Sequence, residues 1–245
     1  MTLLLTALPA LAGGIVQGMT GFGCGIVIML FLPMLLSVQQ SSAISQCASV
    51  FICISMAVTY RKSVNLKLCI KPWVLYFPMY YAFLTIAAGI NTNFLKPFLG
   101  LFLVALSIYC ICFSEKIHIK AGFLSALICA GISAVADSFF GIGGPPMVLY
   151  FLATTQSKEE YLGSIQTFFT VSCLLGTILR ITKGQITLAL LPQLVTVIVM
   201  LLVGKTIGSL FVKKIDQAMM KKLVYGFVGI SGMVTFLTNL SALGL

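Results

Sequence analysis

Acidic side chains are scarce in this sequence. Five Asp and Glu residues stand against fifteen Lys and Arg, and charged residues make up only 8% of the 245 positions, where ordinary globular domains carry about 25%. Four of the five acids, Glu115, Glu159, Glu160 and Asp216, fall in polar stretches between apolar runs, so no pair of carboxylates is placed for general acid–base catalysis. There is one histidine, His118, also in a charged stretch. That excludes a bis-histidine haem. The eight cysteines, Cys24, Cys47, Cys53, Cys69, Cys110, Cys112, Cys129 and Cys173, form no Cys-x-x-Cys pair, and most sit within apolar runs. They read as small buried apolar residues, not as a disulfide framework or a metal site. No catalytic constellation, metal or cofactor is expected, and the reading is not an enzyme.

What is abundant is apolar sequence. Hydrophobic residues reach 60% and the mean hydropathy is +1.11. Continuous runs of about 18–20 apolar residues recur, enough to cross a hydrocarbon layer about 30 Å thick. They do not alternate as the strands of a membrane barrel do. The expected class is an all-α integral membrane protein, multi-pass, in a bacterial-type cytoplasmic cell membrane. Its net charge of +10 is carried by short connections between apolar runs. There it sets orientation and meets anionic lipid, so nucleic acid is not an expected partner. The N-terminus lacks a basic region ahead of its first apolar run and does not read as a cleaved signal peptide.

Two glycine-rich interruptions stand out, 120 residues apart: Gly18-Met19-Thr20-Gly21-Phe22-Gly23-Cys24-Gly25, and Asp137-Ser138-Phe139-Phe140-Gly141-Ile142-Gly143-Gly144-Pro145-Pro146. A shift of 120 without a gap places Gly21 on Gly141, Gly23 on Gly143, Phe31 on Phe151, Gln46 on Gln166, Cys53 on Cys173 and Pro72 on Pro192. Weak internal symmetry of this kind is common in secondary carriers. The pattern predicts five helical segments per half, at about 2–19, 24–37, 42–60, 72–90 and 95–113, then 121–136, 145–155, 161–180, 187–204 and 221–240. The halves divide as 1–113 and 121–245, with a linker at 114–120. The second segment of each half is short. Residues 145–155 span only about 16 Å at 1.5 Å per residue, so each half begins with a broken or re-entrant helix pair.

Charge chooses between topologies. With five segments per half the halves are inverted; Lys96, Arg180 and Lys183 fall outside and the other twelve basic residues inside. With four segments per half and parallel repeats the division becomes eight against seven. Basic residues favour the cytoplasmic side, so two inverted five-segment repeats are expected.

An unwound backbone inside a bilayer is tolerated only where protein buries it or a wet cavity takes it in. A helix start presents free N–H groups and about half a positive charge. Successive glycines let such amides converge, and Pro145 and Pro146 suit a first turn, where no N–H is needed. Two restarts, at Cys24–Gly25 and at Pro145, would thus build a site for a small anion. The plain alternative is close helix packing, which fits Gly14 and Gly18 better. Asp137 is the one acid within an apolar segment. It reads as a proton-coupling or counter-charge group, or else as a protonated structural acid. It aligns with Gln17. Gln46 and Gln166 offer amides to an oxyanion, or else an interhelical hydrogen bond. Thr20 and Ser138 flank the breaks as possible donors. Cys24 reads as packing, since nothing near it activates a thiolate, yet its place in the break puts it among the candidate cavity residues. Arg180, at the expected outer mouth, reads as snorkelling to the interface, or else as steering anions.

These residues resemble the TauE/SafE family, also called the toluene-sulfonate uptake permease family. The carrying features are Gly18-x-x-Gly21-Phe22-Gly23-x-Gly25, Asp137-x-x-x-Gly141-x-Gly143-Gly144-Pro145-Pro146, and the segment Tyr161-Leu162-Gly163-Ser164-Ile165-Gln166 followed by Arg180-x-x-x-Gly184. The resemblance implies secondary transport of a small sulfur-containing anion, sulfite or an organosulfonate. By position it assigns substrate binding to Thr20, Gly21, Gly23, Gln46, Gly141, Gly143, Gly144 and Gln166. Cys24 stands where many members have glycine, and the helices of Gln46 and Gln166 lack the Thr and Asn common there. Protons are the expected coupling ion, with Asp137 their carrier. An uncoupled anion channel and an accessory subunit without transport of its own are the other readings.

Overall fold

The computed structural model describes residues 2–90, 92–112, 122–211, 229–230 and 232–239. The linker at 114–120 lies outside the described residues, as does half of the segment expected at 221–240. The described residues contain helices and no strand. Up to residue 211 the α-helices are, in chain order, α1 (Thr2–Thr20), α2 (Cys24–Phe31), α3 (Val38–Thr59), α4 (Leu66–Gly89), α5 (Thr92–Cys112), α6 (Phe123–Phe140), α7 (Gly144–Thr154), α8 (Lys158–Thr182) and α9 (Leu191–Phe211); residues 229–230 and 232–238 are also helical. Among the described residues four stretches, Val38–Thr59, Phe123–Phe140, Lys158–Thr182 and Leu188–Leu210, are long and apolar enough to cross a membrane.

Local chemistry explains where the boundaries differ from expectation. α2 stops at Phe31 and tightens into a 3-10 turn over Leu32–Met34. Pro33 has no N–H to give and crowds the preceding turn, so the expected run to 37 is not made. α3 begins at Val38, four residues early, on a capping box in which the Ser37 side chain accepts from the Gln40 N–H and the Gln40 side chain accepts from the Ser37 N–H. α4 starts at Leu66 and keeps both Pro72 and Pro78 inside. α6 runs through Phe140, so Asp137 and Ser138 belong to its last turn and not to the break.

Helices pack in pairs: α1 along α9, α3 along α8, α4 along α6, with α3 also meeting α9 and α8 meeting α4. Ala10, Ile28, Ile44, Ile52 and Leu201 fill one buried cluster; Tyr76, Tyr80, Met147, Phe151 and Phe168 anchor another. Large apolar side chains such as Leu8, Phe51, Val58, Val74, Ile132 and Val195 remain exposed, as a lipid-facing surface requires. Between apolar helices in lipid, association rests on close packing. The α1–α9 seam shows this. A Cβ at Gly14 would strike the Leu201 carbonyl, one at Gly204 the Leu11 carbonyl, and one at Gly18 would lie 2.6 Å from the Lys205 carbonyl. Gly14 and Gly18 therefore serve packing, as their spacing implies. Gly204→Val is expected to cost about 3 kcal/mol through backbone displacement, read as a lowered midpoint of thermal denaturation in detergent.

Candidate functional site

Both glycine interruptions are real breaks. α1 ends at Thr20 and α2 starts at Cys24; α6 ends at Phe140 and α7 starts at Gly144. Gly21, Gly23 and Gly141 hold φ of +83°, +106° and +67°, the left-handed region that side chains resist. Gly143 is needed for a different reason: a Cβ there would sit 2.7 Å from the Asp137 Cβ and 2.9 Å from the Ser133 carbonyl. The chain folds back on itself after each break. A Cβ on Gly13 would lie 3.1 Å from the Cys24 carbonyl, and the Ser133 hydroxyl donates to the Gly143 carbonyl.

Gln17 and Asp137, aligned by the 120-residue shift, do matching jobs. Gln17 Oε1 accepts from the Cys24 N–H at 3.4 Å, while the Asp137 carboxylate accepts from the Gly143 N–H. Each polar side chain on the outgoing helix thus holds the amide where the returning helix begins. The two breaks also meet each other. A Cβ on Gly25 would be 2.8 Å from the Gly141 carbonyl, and one on Gly144 3.8 Å from the Phe22 ring.

A cavity of about 60 Å³ opens at this meeting point, room for a few waters or one small oxyanion. Of the residues expected to bind substrate, Gly23, Cys24, Gly141, Gly143 and Gly144 line it, with Asp137. Asp137 is the charged residue among the lining side chains; Gln17, Ser49, Ser133 and Ser172 supply neutral polar groups and Tyr76 and Phe168 aromatic ones. On one side the Phe22 ring borders both this cavity and a wider vestibule of about 340 Å³ that reaches Lys158 and Tyr161.

Five expected residues stand elsewhere. The Thr20 hydroxyl lies 2.9 Å from the Val16 carbonyl and 2.7 Å from that of Phe22, and accepts from the Phe22 N–H at 3.4 Å. It ties off the broken end and borders the vestibule. Gly21 supplies the left-handed turn, and its carbonyl accepts from Gln166 Nε2. The Gln166 amide thus braces the first break instead of facing the cavity. Ser138 donates to the Val135 carbonyl at 2.9 Å within its own helix.

Gln46 belongs to a buried network behind the carboxylate. Its Nε2 donates to Asp137 Oδ2 at 3.1 Å, and its Oε1 accepts from Tyr80 at 2.8 Å and from Arg180 Nε at 2.6 Å. The Tyr76 hydroxyl donates to the same carboxylate oxygen. Arg180 overturns its sequence reading. It is 1% exposed, and its remaining N–H groups donate to Ser42 Oγ, Gln185 Oε1 and the carbonyls of Asp137 and Ser138 at 2.8–3.0 Å. With Gln46, all five guanidinium donors are engaged. A snorkelling side chain would keep its head in water; this one is locked between α3, α6 and α8. Sequence inspection also missed Tyr76, Tyr80, Ser42 and Gln185. The i, i+4 spacing of the two tyrosines on α4 was the available signal, since such residues share a helix face.

This combination can receive a small anion. Two helix starts deliver positive ends to one buried space, without a free cation in its wall, and a carboxylate stands beside it with a guanidinium one amide away. A family model described as Sulfite exporter TauE/SafE matches residues 6–235. No curated protein and no solved structure matches the chain. The match covers nearly the whole sequence, both breaks and the buried network included, and the chain belongs to the sulfite exporter TauE/SafE family of membrane transporters.

Proposed function

We propose that this protein is a secondary carrier of a small sulfur-containing anion, sulfite or an organosulfonate, coupled to protons through Asp137 and working in the cytoplasmic membrane. The observation that carries the reading is the convergence of both helix restarts and one carboxylate on a single cavity. Oxyanion oxygens would meet the positive ends of α2 and α7 and the first-turn N–H groups not otherwise held, those of Ile26 and Gly144, since Pro145 and Pro146 have none. A longer organosulfonate would extend its tail past Phe22 toward the vestibule.

Coupling follows from the carboxylate's position. Three donors, from Tyr76, Gln46 and Gly143, face the Asp137 carboxyl group, and the cavity wall carries no second acid. Two like charges about 5 Å apart repel by about 3 kcal/mol at an effective dielectric of about 20. Entry of a substrate anion therefore favours uptake of a proton by Asp137, and a proton on Asp137 favours the anion by the same factor. The sign is fixed: anion affinity is highest where Asp137 is protonated and falls as pH rises through its titration.

Two inverted repeats, 1–113 and 121–245, give this mechanism its moving parts. The packing supports them, because the shift that maps α1 onto α6 also maps α9's counterpart α4 alongside it: α1 lies on α9, and α6 on α4. α3 lies on its own counterpart α8. The short pairs α1–α2 and α6–α7 would then dip in from opposite faces, and alternating access would come from one half rocking on the other.

The test is flux in proteoliposomes. Labelled sulfite, taurine-like sulfonates and thiosulfate are offered with and without a pH gradient. At least one is expected to accumulate only when protons can flow with it. If none moves, the anion-carrier reading fails; gradient-independent flux would make the protein a channel.

A further inference from the structure

One wall of the cavity is built of sulfur. Cys53 on α3 and Cys173 on α8 line it together with Cys24 from the first break, and all three are free thiols. The first two stand 120 residues apart, on α3 and α8, close enough to interact in the cavity wall. Gln17 Nε2 donates to Cys53 Sγ at 3.5 Å. Cys24 Sγ lies 3.3 Å from Ser49 Oγ, whose own proton goes to the Ser45 carbonyl, so Cys24 is the donor there.

A second observation points to a ligand at the same wall. Ser172, next to Cys173, is 2% exposed and lines the cavity, and its hydroxyl has no hydrogen-bond partner. A buried hydroxyl left unpaired is costly, and the unfilled space beside it is the cavity itself.

Taking the cavity as an anion site, we propose that this wall receives the sulfur end of an anion bearing a terminal sulfur as well as oxygens, thiosulfate being the simplest. The oxygens would meet Ser172 and the helix restarts; the terminal sulfur would pack against Cys24, Cys53 and Cys173. A terminal sulfur is large, polarisable and a poor acceptor, so it gains little from amides and hydroxyls. Thiols offer it polarisable contact and a weak donor. An oxygen in that place would give up strong hydrogen bonds to water for weak ones to S–H. Binding is non-covalent, and no bond is made or broken.

The test compares thiosulfate with sulfate, which has the same charge and shape with oxygen in place of the terminal sulfur. Each competes against labelled sulfite in proteoliposomes. Wild-type protein is expected to take thiosulfate at least about tenfold more tightly than sulfate, a ratio that collapses by about tenfold, near 1.4 kcal/mol, in the Cys53→Ser/Cys173→Ser variant. A wild-type ratio near one, or a ratio the variant leaves unchanged, overturns the proposal while leaving the carrier function standing. Should the variant not fold, wild-type protein decides. Thiosulfate is expected to slow maleimide labelling of Cys53 and Cys173, mapped by mass spectrometry, more than sulfate does; equal labelling overturns the proposal. If no anion binds or moves, the anion site fails and this inference with it.

Discussion

Asp137→Asn is expected to abolish the response of transport to a pH gradient while anion movement down its own gradient persists. Asparagine keeps the size of the side chain, and its carbonyl can still accept from Tyr76 and Gln46, so the network survives in outline. What disappears is the proton. A gradient of one pH unit is worth about 1.4 kcal/mol per proton, or about tenfold accumulation with one proton per anion. The wild type is expected to approach that ratio, and the variant to stay near one. The variant also removes the negative charge beside the cavity, so its anion affinity should lie near the low-pH value of the wild type and stay flat as pH rises. Measuring accumulation and affinity against pH in the same proteoliposomes checks both. Unchanged pH dependence would take Asp137 out of the mechanism.

Arg180→Met is expected to be the most damaging substitution to stability. The arginine is buried, and its loss strips partners from Gln46 Oε1, Ser42, Gln185 and two α6 carbonyls at once. It also leaves the Asp137 carboxylate without the nearby positive charge. Removing one partner from a buried charged set costs about 3–5 kcal/mol, which for a chain of this size lowers the denaturation midpoint by about 10 °C. Lysine is no substitute, since a single ammonium offers three donors where the planar fork offers five. Arg180→Met/Asp137→Asn is expected to recover part of the loss, because the stranded carboxylate is gone. Thermal denaturation of the single and double variants in detergent measures that coupling. Strict additivity would mean that the two charges do not sense each other through Gln46.

The features legible in the sequence were those with a local cause. The two breaks announce themselves because runs of glycine inside apolar stretches have few other uses, and the structure interrupts the helix at both. Asp137 was visible because a carboxylate in a membrane helix is rare. The Ser37–Gln40 capping box was also written in the sequence, although the expected start at 42 passed over it. The network was not legible. Gln46 meets Asp137 across 91 residues and Arg180 across 134, and nothing near either position says which distant side chain it will face. Arg180 was misread for the same reason: an arginine close to a helix end looks ready to reach water until its partners on other helices are known. Gln46 and Gln166 match in sequence, yet one bridges two charges and the other braces a carbonyl. Duplicated positions have drifted into different work.

The contact between Gly25 and the Gly141 carbonyl leaves no space for a methyl group where the two hairpins touch. If the two halves rock as proposed, this close backbone contact would serve as the fulcrum. The far ends of the two broken helix pairs would then travel the longest arcs, while their tips hardly shift.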